Sequence, residues 1–404
     1  MNKQLKPSFY DDFKCIADKC ESNCCSEKWS IFIDKKTYKR YMDFSGEIRK
    51  DLKKNIKINP NRKSTSDYAK IKLNNEGFCS LLSQDGLCKI HSSLGAQELS
   101  YVCKIYPREI VKVGNLYEYK LTISCPEVAR KALLNKEKFS FVIDEERVNK
   151  IDDYYIRRIN MTEEYFQVFW EIRSFAIEII QMRSIELWKR IMLLGLFCKE
   201  VDKHLNDLDK VINEIEKYRI MVNNKEVLNS IENIKINNEK KLNLITQFIR
   251  SRVDYRVYNK DFIEICNDLD IVVGFSEESS KEEIMRKYEE LEGEVYKKFL
   301  IDNSYVLENY LVNAIYKQFV FWYETKSFYD RFVKIVIQYS IVRFLLMGQI
   351  ARKKDKFNEK NLIKVFYSFS RVIEHSPIFI EDLILGLKQK GYDELNYMSI
   401  LIRE

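Results

Sequence analysis

The chain has 404 residues, enough for two or three domains and for a sizeable hydrophobic core. Hydrophobic residues make up 46% and charged residues 32%, with only 11 glycines and 5 prolines, which argues against a disordered or low-complexity chain. The net charge of +7 comes from 68 basic and 61 acidic residues spread along the sequence. This distribution indicates solvated helix faces, so we expect no nucleic-acid partner.

The sequence also bears on where the protein works. Its first residues contain no apolar run followed by a small-residue cleavage site, so we predict no signal peptide and a cytoplasmic location. Residues 332–351 form the most apolar stretch, but Lys334 and Arg343 interrupt it and would be costly at the centre of a bilayer. We therefore interpret this stretch as a buried core helix and expect no membrane partner.

Patterns near the N-terminus indicate short strands mixed with helices. Residues 29–33 alternate as in a strand, and Asp34 can cap a helix that follows directly. Residues 110–113 and 116–123 flank a Gly-Asn pair, whose turn chemistry is typical of a tight hairpin. The first third of the chain is therefore predicted to have an α+β fold.

Three capping pairs, each with a polar residue three positions before a glutamate, predict helix starts. The pairs are Ser124 with Glu127, Asn160 with Glu163, and Ser280 with Glu283. The first pair places Cys125 at the mouth of a helix. Helical periodicity continues over 187–197, 304–324, 327–352, 358–373 and 377–390. The fold class is predicted to be mainly α, with a cysteine-rich α+β metal-binding domain at residues 1–145 and a larger all-α helical domain at 146–404.

Eight of the ten cysteines lie in the first third of the chain. They are Cys15, Cys20, Cys24, Cys25, Cys79, Cys88, Cys103 and Cys125. The first four thiols fall within eleven residues, which packing alone does not explain. The sequence therefore predicts a metal site, and all eight cysteines are candidate metal ligands.

The kind of metal site follows from compartment and spacing. A disulfide framework is disfavoured because disulfides do not persist in a reducing cytosol. Structural zinc usually uses two separate pairs of the form C-x2–4-C, whereas the pairs with that spacing here all share Cys20, so no second pair completes the site. An iron–sulfur cluster tolerates irregular spacing because its corners lie further apart. We expect an iron–sulfur cluster, with zinc as the alternative, and the spacing leaves open which four thiols bind it.

Three further side chains are weaker candidates. His91 follows Cys88 by three residues, but it stands in a turn-like segment where cysteines already outnumber the ligand positions. Cys198 and Cys266 fall on apolar helical faces. We interpret these two thiols as buried and unreactive.

Short motifs accompany the cysteines in a fixed order. They are Phe13-x-Cys15, Cys20-x3-Cys24-Cys25-x3-Trp29-x-Ile31, Gly77-Phe78-Cys79-Ser80-Leu81-Leu82, Gly86-Leu87-Cys88, Leu94-Gly95, Cys103-Lys104-Ile105-Tyr106-Pro107-Arg108 and Ser124-Cys125-Pro126-Glu127. Over roughly residues 9–135 this series resembles the flagellin lysine-N-methylase (FliB) family, which is related to cysteine-cluster proteins that chelate zinc or iron. Ser80 departs from the family pattern, which usually has proline there.

The resemblance implies a protein lysine N-methyltransferase that uses S-adenosylmethionine, carries a 4Fe–4S cluster and has flagellin as its protein substrate. Arg108 could bind the carboxylate of the methyl donor, since a guanidinium matches a carboxylate with two hydrogen bonds; the alternative is an ion pair within the domain. No G-x-G-x-x-G follows a strand, so the donor pocket and the catalytic residues stay unassigned. The alternative function is a non-catalytic zinc- or iron-binding module with a helical protein-interaction domain.

Overall fold

The computed structural model of the chain describes residues 2–146, 156–235, 237–253, 257, 259–275 and 279–403. Within it the chain forms two compact units that alternate along the sequence. The cysteine unit comprises residues 12–109 and 121–128. The helical unit comprises residues 1–11, 110–120 and 129–404. The sequence-based division places a single boundary after residue 145, whereas in the structure the chain passes from one unit to the other four times.

The cysteine unit is built on a small antiparallel sheet and short helices. The elements of the unit are β2 (Phe32–Ile33), α1 (Lys35–Asp43), α2 (Gly46–Asn55), β3 (Ile56–Ile58), β4 (Ala69–Ile71), α3 (Lys89–Leu94) and α4 (Tyr101–Ile105). The strand order in the sheet is β2-β4-β3. Ile33, Tyr41, Leu52 and Leu81 form its fully buried centre, against which partly buried cysteines pack.

The helical unit contains a five-stranded mixed sheet as well as helices. The strands are β1 (Asn2–Pro7), β5 (Arg108–Val113), β6 (Leu116–Leu121), β7 (Phe141–Glu146) and β8 (Arg157–Ile159). Their order in the sheet is β7-β1-β6-β5-β8, with β1 parallel to β6 and antiparallel to β7. Tyr316 donates a hydrogen bond to the carbonyl of Leu5 at 3.0 Å, which fixes this sheet to a long helix of the same unit.

Helices make up most of the remaining chain, which confirms the predicted mainly α fold. They are α5 (Pro126–Leu133), α6 (Glu163–Ile180), α7 (Leu187–Val201), α8 (Leu208–Met221), α9 (Lys225–Glu232), α10 (Asn238–Val253), α11 (Lys260–Val273), α12 (Lys281–Glu290), α13 (Lys297–Gln318), α14 (Trp322–Thr325), α15 (Phe328–Lys353), α16 (Glu359–Phe369), α17 (Pro377–Gln389) and α18 (Leu395–Ile402). π-Helical turns at Leu291–Tyr296 and Ser370–Glu374 extend two of them.

The apolar stretch around residues 332–351 lies in α15, which packs against α7, α11, α16 and α18. By length and composition, the helical segment Phe328–Lys356 could cross a membrane, and it is the one such segment in the described residues. However, 89% of its most apolar window is buried inside the protein. Burial among the other helices accounts for its apolar composition, as expected for a core helix.

Several local predictions are confirmed and others need correction. Asp34 caps α1 by accepting a hydrogen bond from the Thr37 amide at 2.9 Å. Ser280 caps α12 in the same way. The N-cap of α6 is Thr162 rather than Asn160, because the strand β8 and the residue after it occupy the earlier positions. The expectation that residues 146–404 are all α is wrong, since β8 joins the mixed sheet there.

Candidate functional site

The candidate metal ligands come from four segments of the cysteine unit. Cys15 to Cys25 lie in a loop with two short 3-10 turns. Cys79 and Cys88 lie in a loop closed by isolated β-bridges, one between Leu82 and Cys88. The remaining two are Cys103 in α4 and Cys125 directly before α5. The unit therefore collects thiols that are far apart in sequence.

Direct contacts join Cys24, Cys25 and Cys79. The Cys79 amide donates to the Cys25 carbonyl at 2.9 Å, which holds the two loops together. Hydrogen bonding to Cys24 and then to Cys79, together with burial, raises the pKa of the Cys25 thiol. The hydrogen bond from Cys25 lowers the pKa of Cys79 to about 7, although burial opposes this change. Of this pair, Cys79 is therefore the thiol that ionises more readily.

Three of the cysteines share one local geometry in which backbone amides donate to the sulfur. At Cys79 the donors are the amides of Leu81 and Leu82, two and three residues further along. Cys88 receives hydrogen bonds from the amides at positions 90 and 91. Cys125 receives them from the amides at positions 127 and 128, at the start of α5. Such N–H···S bonds stabilise a thiolate and are one of the means by which proteins tune thiolate-bound metal centres.

Burial opposes ionisation of the other thiols. Burial is the main cause that raises the pKa of Cys88, and it raises the pKa of Cys103 and of Cys125 to about 12. Negative charge on Cys24 adds to the rise at all three positions, so Cys24 lies within electrostatic reach of the whole group. Without a cation these thiols stay protonated, whereas a metal would be needed to hold them together as thiolates.

The two remaining predicted ligands are placed differently. The Cys20 thiol donates to the Ser22 carbonyl at 3.4 Å, and its charge contributes to the raised pKa of Cys125. Cys15 is exposed, and the contacts recorded for the described residues do not join it to the other seven cysteines. The structure thus brings seven of the eight candidates together.

The spacing of the sulfur atoms bears on the type of metal centre. A tetrahedral zinc site with Zn–S bonds of about 2.3 Å would place its sulfurs roughly 3.8 Å apart. Within the described residues, no three cysteine sulfurs all lie within 4.8 Å of one another. The described thiols are therefore further apart than the sulfurs of a closed zinc site.

Arg108, the first residue of β5, belongs to the cysteine unit and contacts Phe13 of the same unit. Its guanidinium donates to the Phe13 carbonyl at 3.2 Å and stacks on the Phe13 ring at 4.8 Å. Both contacts hold the segment before Cys15 in place. Arg108 is therefore fixed next to the loop that carries the first cysteines, and its predicted contact with a donor carboxylate stays a prediction.

The three weaker candidates, His91, Cys198 and Cys266, differ in their exposure to solvent. His91 is exposed on α3. Cys198 and Cys266 are buried in the helical unit at 0% and 8% exposure, and burial raises the pKa of both thiols. The prediction that these two cysteines are buried is confirmed.

A group of possible metal ligands that the sequence patterns did not reveal lies between α7 and α8. Ligand atoms of Glu200, His204 and Glu214 lie within 4.8 Å of one another. However, Lys203 pairs with Glu200 at 2.6 Å, and Lys217 pairs with Glu214 at 2.5 Å. Both carboxylates already have a cationic partner, so we interpret the group as an ion-pair network.

The fold and this site define the protein as a largely helical chain with a cysteine-rich unit near its N-terminus. The family model described as the FliB lysine N-methylase C-terminal domain matches residues 173–401, which is more than half of the chain. The chain therefore belongs to the FliB lysine N-methylase family, and the resemblance found in the cysteine motifs is confirmed.

Similar proteins extend this assignment over a shorter part of the chain. The flagellar biosynthetic protein FliU of Salmonella muenchen is 34% identical over 130 residues, which are 32% of this chain and 75% of FliU. The lysine-N-methylases of Salmonella choleraesuis and Salmonella typhimurium are each 32% identical over 129 residues. That match spans about a third of either lysine-N-methylase, 32% in both cases. No solved structure matches the chain.

Proposed function

We propose that the chain is a cytoplasmic protein lysine N-methyltransferase that uses S-adenosylmethionine, has flagellin as its substrate and carries a 4Fe–4S cluster. Membership of the FliB lysine N-methylase family carries the proposal. The names of the similar proteins, lysine-N-methylase and flagellar biosynthetic protein, support the reaction and the flagellar substrate. The cysteine unit supports the cluster through the chemistry and the spacing of its thiols.

The residues of the cysteine unit fit an iron–sulfur cluster. Cys24 is the central candidate ligand because its charge reaches Cys25, Cys79, Cys88, Cys103 and Cys125. The paired amide donors at three of these sulfurs would offset the negative charge of the thiolates. When bound, such a cluster supplies a redox centre and also ties together loops with little regular structure.

The reaction itself sets demands on the protein. A lysine amine has a pKa near ~10.4, so the site must desolvate it or remove its proton before it attacks. A bond then forms between the amine nitrogen and the methyl carbon while the sulfonium–methyl bond breaks, which releases S-adenosylhomocysteine and a proton. Most of the rate gain would come from holding the two reactants in line. We propose that Arg108 binds the donor carboxylate through its guanidinium.

The first test is the visible spectrum of protein purified without oxygen, with iron, sulfide and zinc assayed on the same sample. We expect a broad band near ~400 nm and about four irons per chain. Cys24→Ala should lose most of the iron, whereas Cys198→Ala, which removes a buried thiol of the helical unit, should keep it. A colourless protein that contains zinc alone would refute the cluster and favour the non-catalytic module.

The second test addresses the substrate. Flagellin is purified from cells with and without the protein, and its lysines are mapped by mass spectrometry. We expect mass increases of about 14 Da or multiples of it on surface lysines only when the protein is present. Unchanged lysine masses in both samples would refute flagellin as the substrate, whatever metal the protein contains.

A further inference from the structure

Three aromatic rings of the helical unit surround the ammonium group of Lys326. The Lys326 Nζ atom lies 3.4 Å from the ring centroid of Tyr323, 5.4 Å from that of Tyr165 and 5.8 Å from that of Trp322. All three distances fall within the ~6 Å range of cation–π attraction. We call the three rings the aromatic cage.

The local structure fixes each wall of the aromatic cage. Tyr165 stands in the first turn of α6, and its hydroxyl donates to Asn206 at 2.8 Å. Trp322 is fully buried and stacks on Phe328 with ring centroids 4.8 Å apart. Lys326 follows α14 in the left-handed conformation, at φ +55°, and its amide donates to the Trp322 carbonyl at 2.6 Å. This backbone turn brings the lysine back to the rings.

The rings enclose a space and are not stacked on one another. Their centroids are 5.8 to 6.1 Å apart, and their planes meet at angles of 58° to 82°. A second lysine of the same unit, Lys240, provides a contrast. It lies on Tyr392 and Tyr397, which are stacked at 4.4 Å with an angle of 26° and so offer one surface rather than a box.

An unmodified ammonium fills this space poorly. It is small and strongly hydrated, and Lys326 is exposed, so its attraction to the rings is weak. A methyl group extends ~1.5 Å from its nitrogen. From the position of the Lys326 nitrogen, methyl carbons directed at Tyr165 and Trp322 would lie roughly 3.9 Å and 4.3 Å from the ring centroids, close to the contact distance of ~3.5–4.0 Å.

We propose that the aromatic cage is a binding site for the methylated ammonium group of a modified lysine, and that Lys326 occupies it when no such lysine is bound. Methylated ammonium groups favour sites of this kind because they are larger and less hydrated than an unmodified ammonium. The identity of the ligand as a lysine on the protein's own product rests on the proposed function. The binding of a methylated ammonium group does not rest on the proposed function, because binding requires no methyl transfer by this protein.

The test is isothermal titration calorimetry of the full chain with two short peptides. One has a single Nε-trimethyllysine between glycines, and the other has an unmodified lysine in its place. We expect the trimethylated peptide to bind at least about tenfold more tightly. Lys326→Ala should strengthen its binding roughly two- to fivefold by removing the competing ammonium. Lys240→Ala, the matched control, should leave the affinity unchanged.

Variants of one wall separate ring chemistry from folding. Tyr323→Phe keeps the aromatic face and should retain binding, whereas Tyr323→Ala should lose about tenfold or more in affinity. Circular dichroism checks that both variants stay folded. Equal affinity for the two peptides would overturn the proposal, as would an unchanged affinity in Tyr323→Ala.

A competition experiment distinguishes a binding site for methylated lysine from a binding site for the methyl donor. S-adenosylmethionine also carries an alkylated cation, and its displacement of the trimethylated peptide would overturn the assignment to lysine. Loss of flagellin methylation with retained peptide binding would refute the proposed function and keep the aromatic cage. Methylation without peptide binding would refute the aromatic cage and keep the proposed function.

Discussion

Glu292 gives the sharpest test of how the helical unit is stabilised. Its carboxylate lies 2.9 Å from Lys241 Nζ and 2.8 Å from the Arg343 guanidinium, and it accepts a hydrogen bond from Tyr288 at 2.9 Å. The two cationic side chains are 0% and 2% exposed. Glu292→Gln keeps the shape but removes the negative charge that these two buried cations share.

The expected cost follows from the burial of the pair. Removing one partner of a buried ion pair costs about 3–5 kcal/mol, because the opposite charge stays in a poorly solvating environment. At roughly 2–4 °C per kcal/mol this lowers the melting temperature by roughly 6–20 °C. Thermal and urea unfolding followed by circular dichroism would measure both values. The control is Glu216→Gln on α8, an exposed partner of Arg219, which should cost less than about 0.5 kcal/mol.

The pH dependence has a definite sign. Burial alone would raise the pKa of Glu292, but the charges of Arg343 and Lys241 outweigh it and hold the pKa below its usual value. The stabilisation is therefore present above the ordinary carboxyl pKa of ~4.3 and is lost as the pH falls through the lower pKa of the folded state. The difference between wild type and Glu292→Gln should shrink in acid. A difference below about 1 kcal/mol at pH 7 would refute this reasoning.

Three further predictions concern the cysteine unit. Gly77→Ala should destabilise the protein by about 1–3 kcal/mol and lower the amount of metal bound per chain. The reason is that Gly77 has φ +88° and an added Cβ would lie 2.4 Å from the Lys28 side chain. Full metal content in the variant would contradict this prediction. Asp34→Ala removes the cap of α1 and should cost about 1 kcal/mol in urea unfolding, so an unchanged midpoint would count against the cap. Arg108→Lys keeps the charge but loses the guanidinium geometry, so the KM for S-adenosylmethionine should rise roughly tenfold or more while kcat changes little. An unchanged KM would refute the binding of the donor carboxylate by Arg108.

Local sequence signals predicted many helix starts, because one side chain decides them. Asp34 and Ser280 are capping residues in the structure as predicted. At α6 the sequence pattern selected Asn160, three positions before Glu163, whereas the cap in the structure is Thr162. The structure selects Thr162 because the preceding strand joins a sheet whose other members are distant in sequence.

Strand β1 was missed because its sequence is polar. Its Lys6 is buried and forms ion pairs with Asp11 and Asp144, each at 2.7 Å. A buried lysine in a strand looks like a solvated residue until its partners are known. The pairing of β1 with β7 depends on residues more than a hundred positions apart, so no local pattern reveals it.

Cysteine spacing predicted which residues belong to the candidate site, but it did not predict the geometry of the site. Pairwise interactions link seven of the eight thiols, whereas Cys15 does not join them in the described contacts. The amide donors at Cys79, Cys88 and Cys125 depend on backbone conformation, which spacing does not encode. Proximity of the cage residues Tyr165 and Trp322 likewise requires the tertiary fold.

The order of the two units along the chain determines how the protein can be divided. Strand β1 lies between β7 and β6 in the sheet of the helical unit, and its Lys3 is in register with Leu116. The segment that contains the first seven cysteines is thus inserted between β1 and β5, two strands of one sheet that β6 separates. A truncated protein that starts at residue 12 would lose an inner strand of the helical unit, and one that stops at residue 128 would hold strands without their partners. Excision of residues 12–109 keeps β1 with the helical unit but leaves residues 121–128 of the cysteine unit, with Cys125, behind.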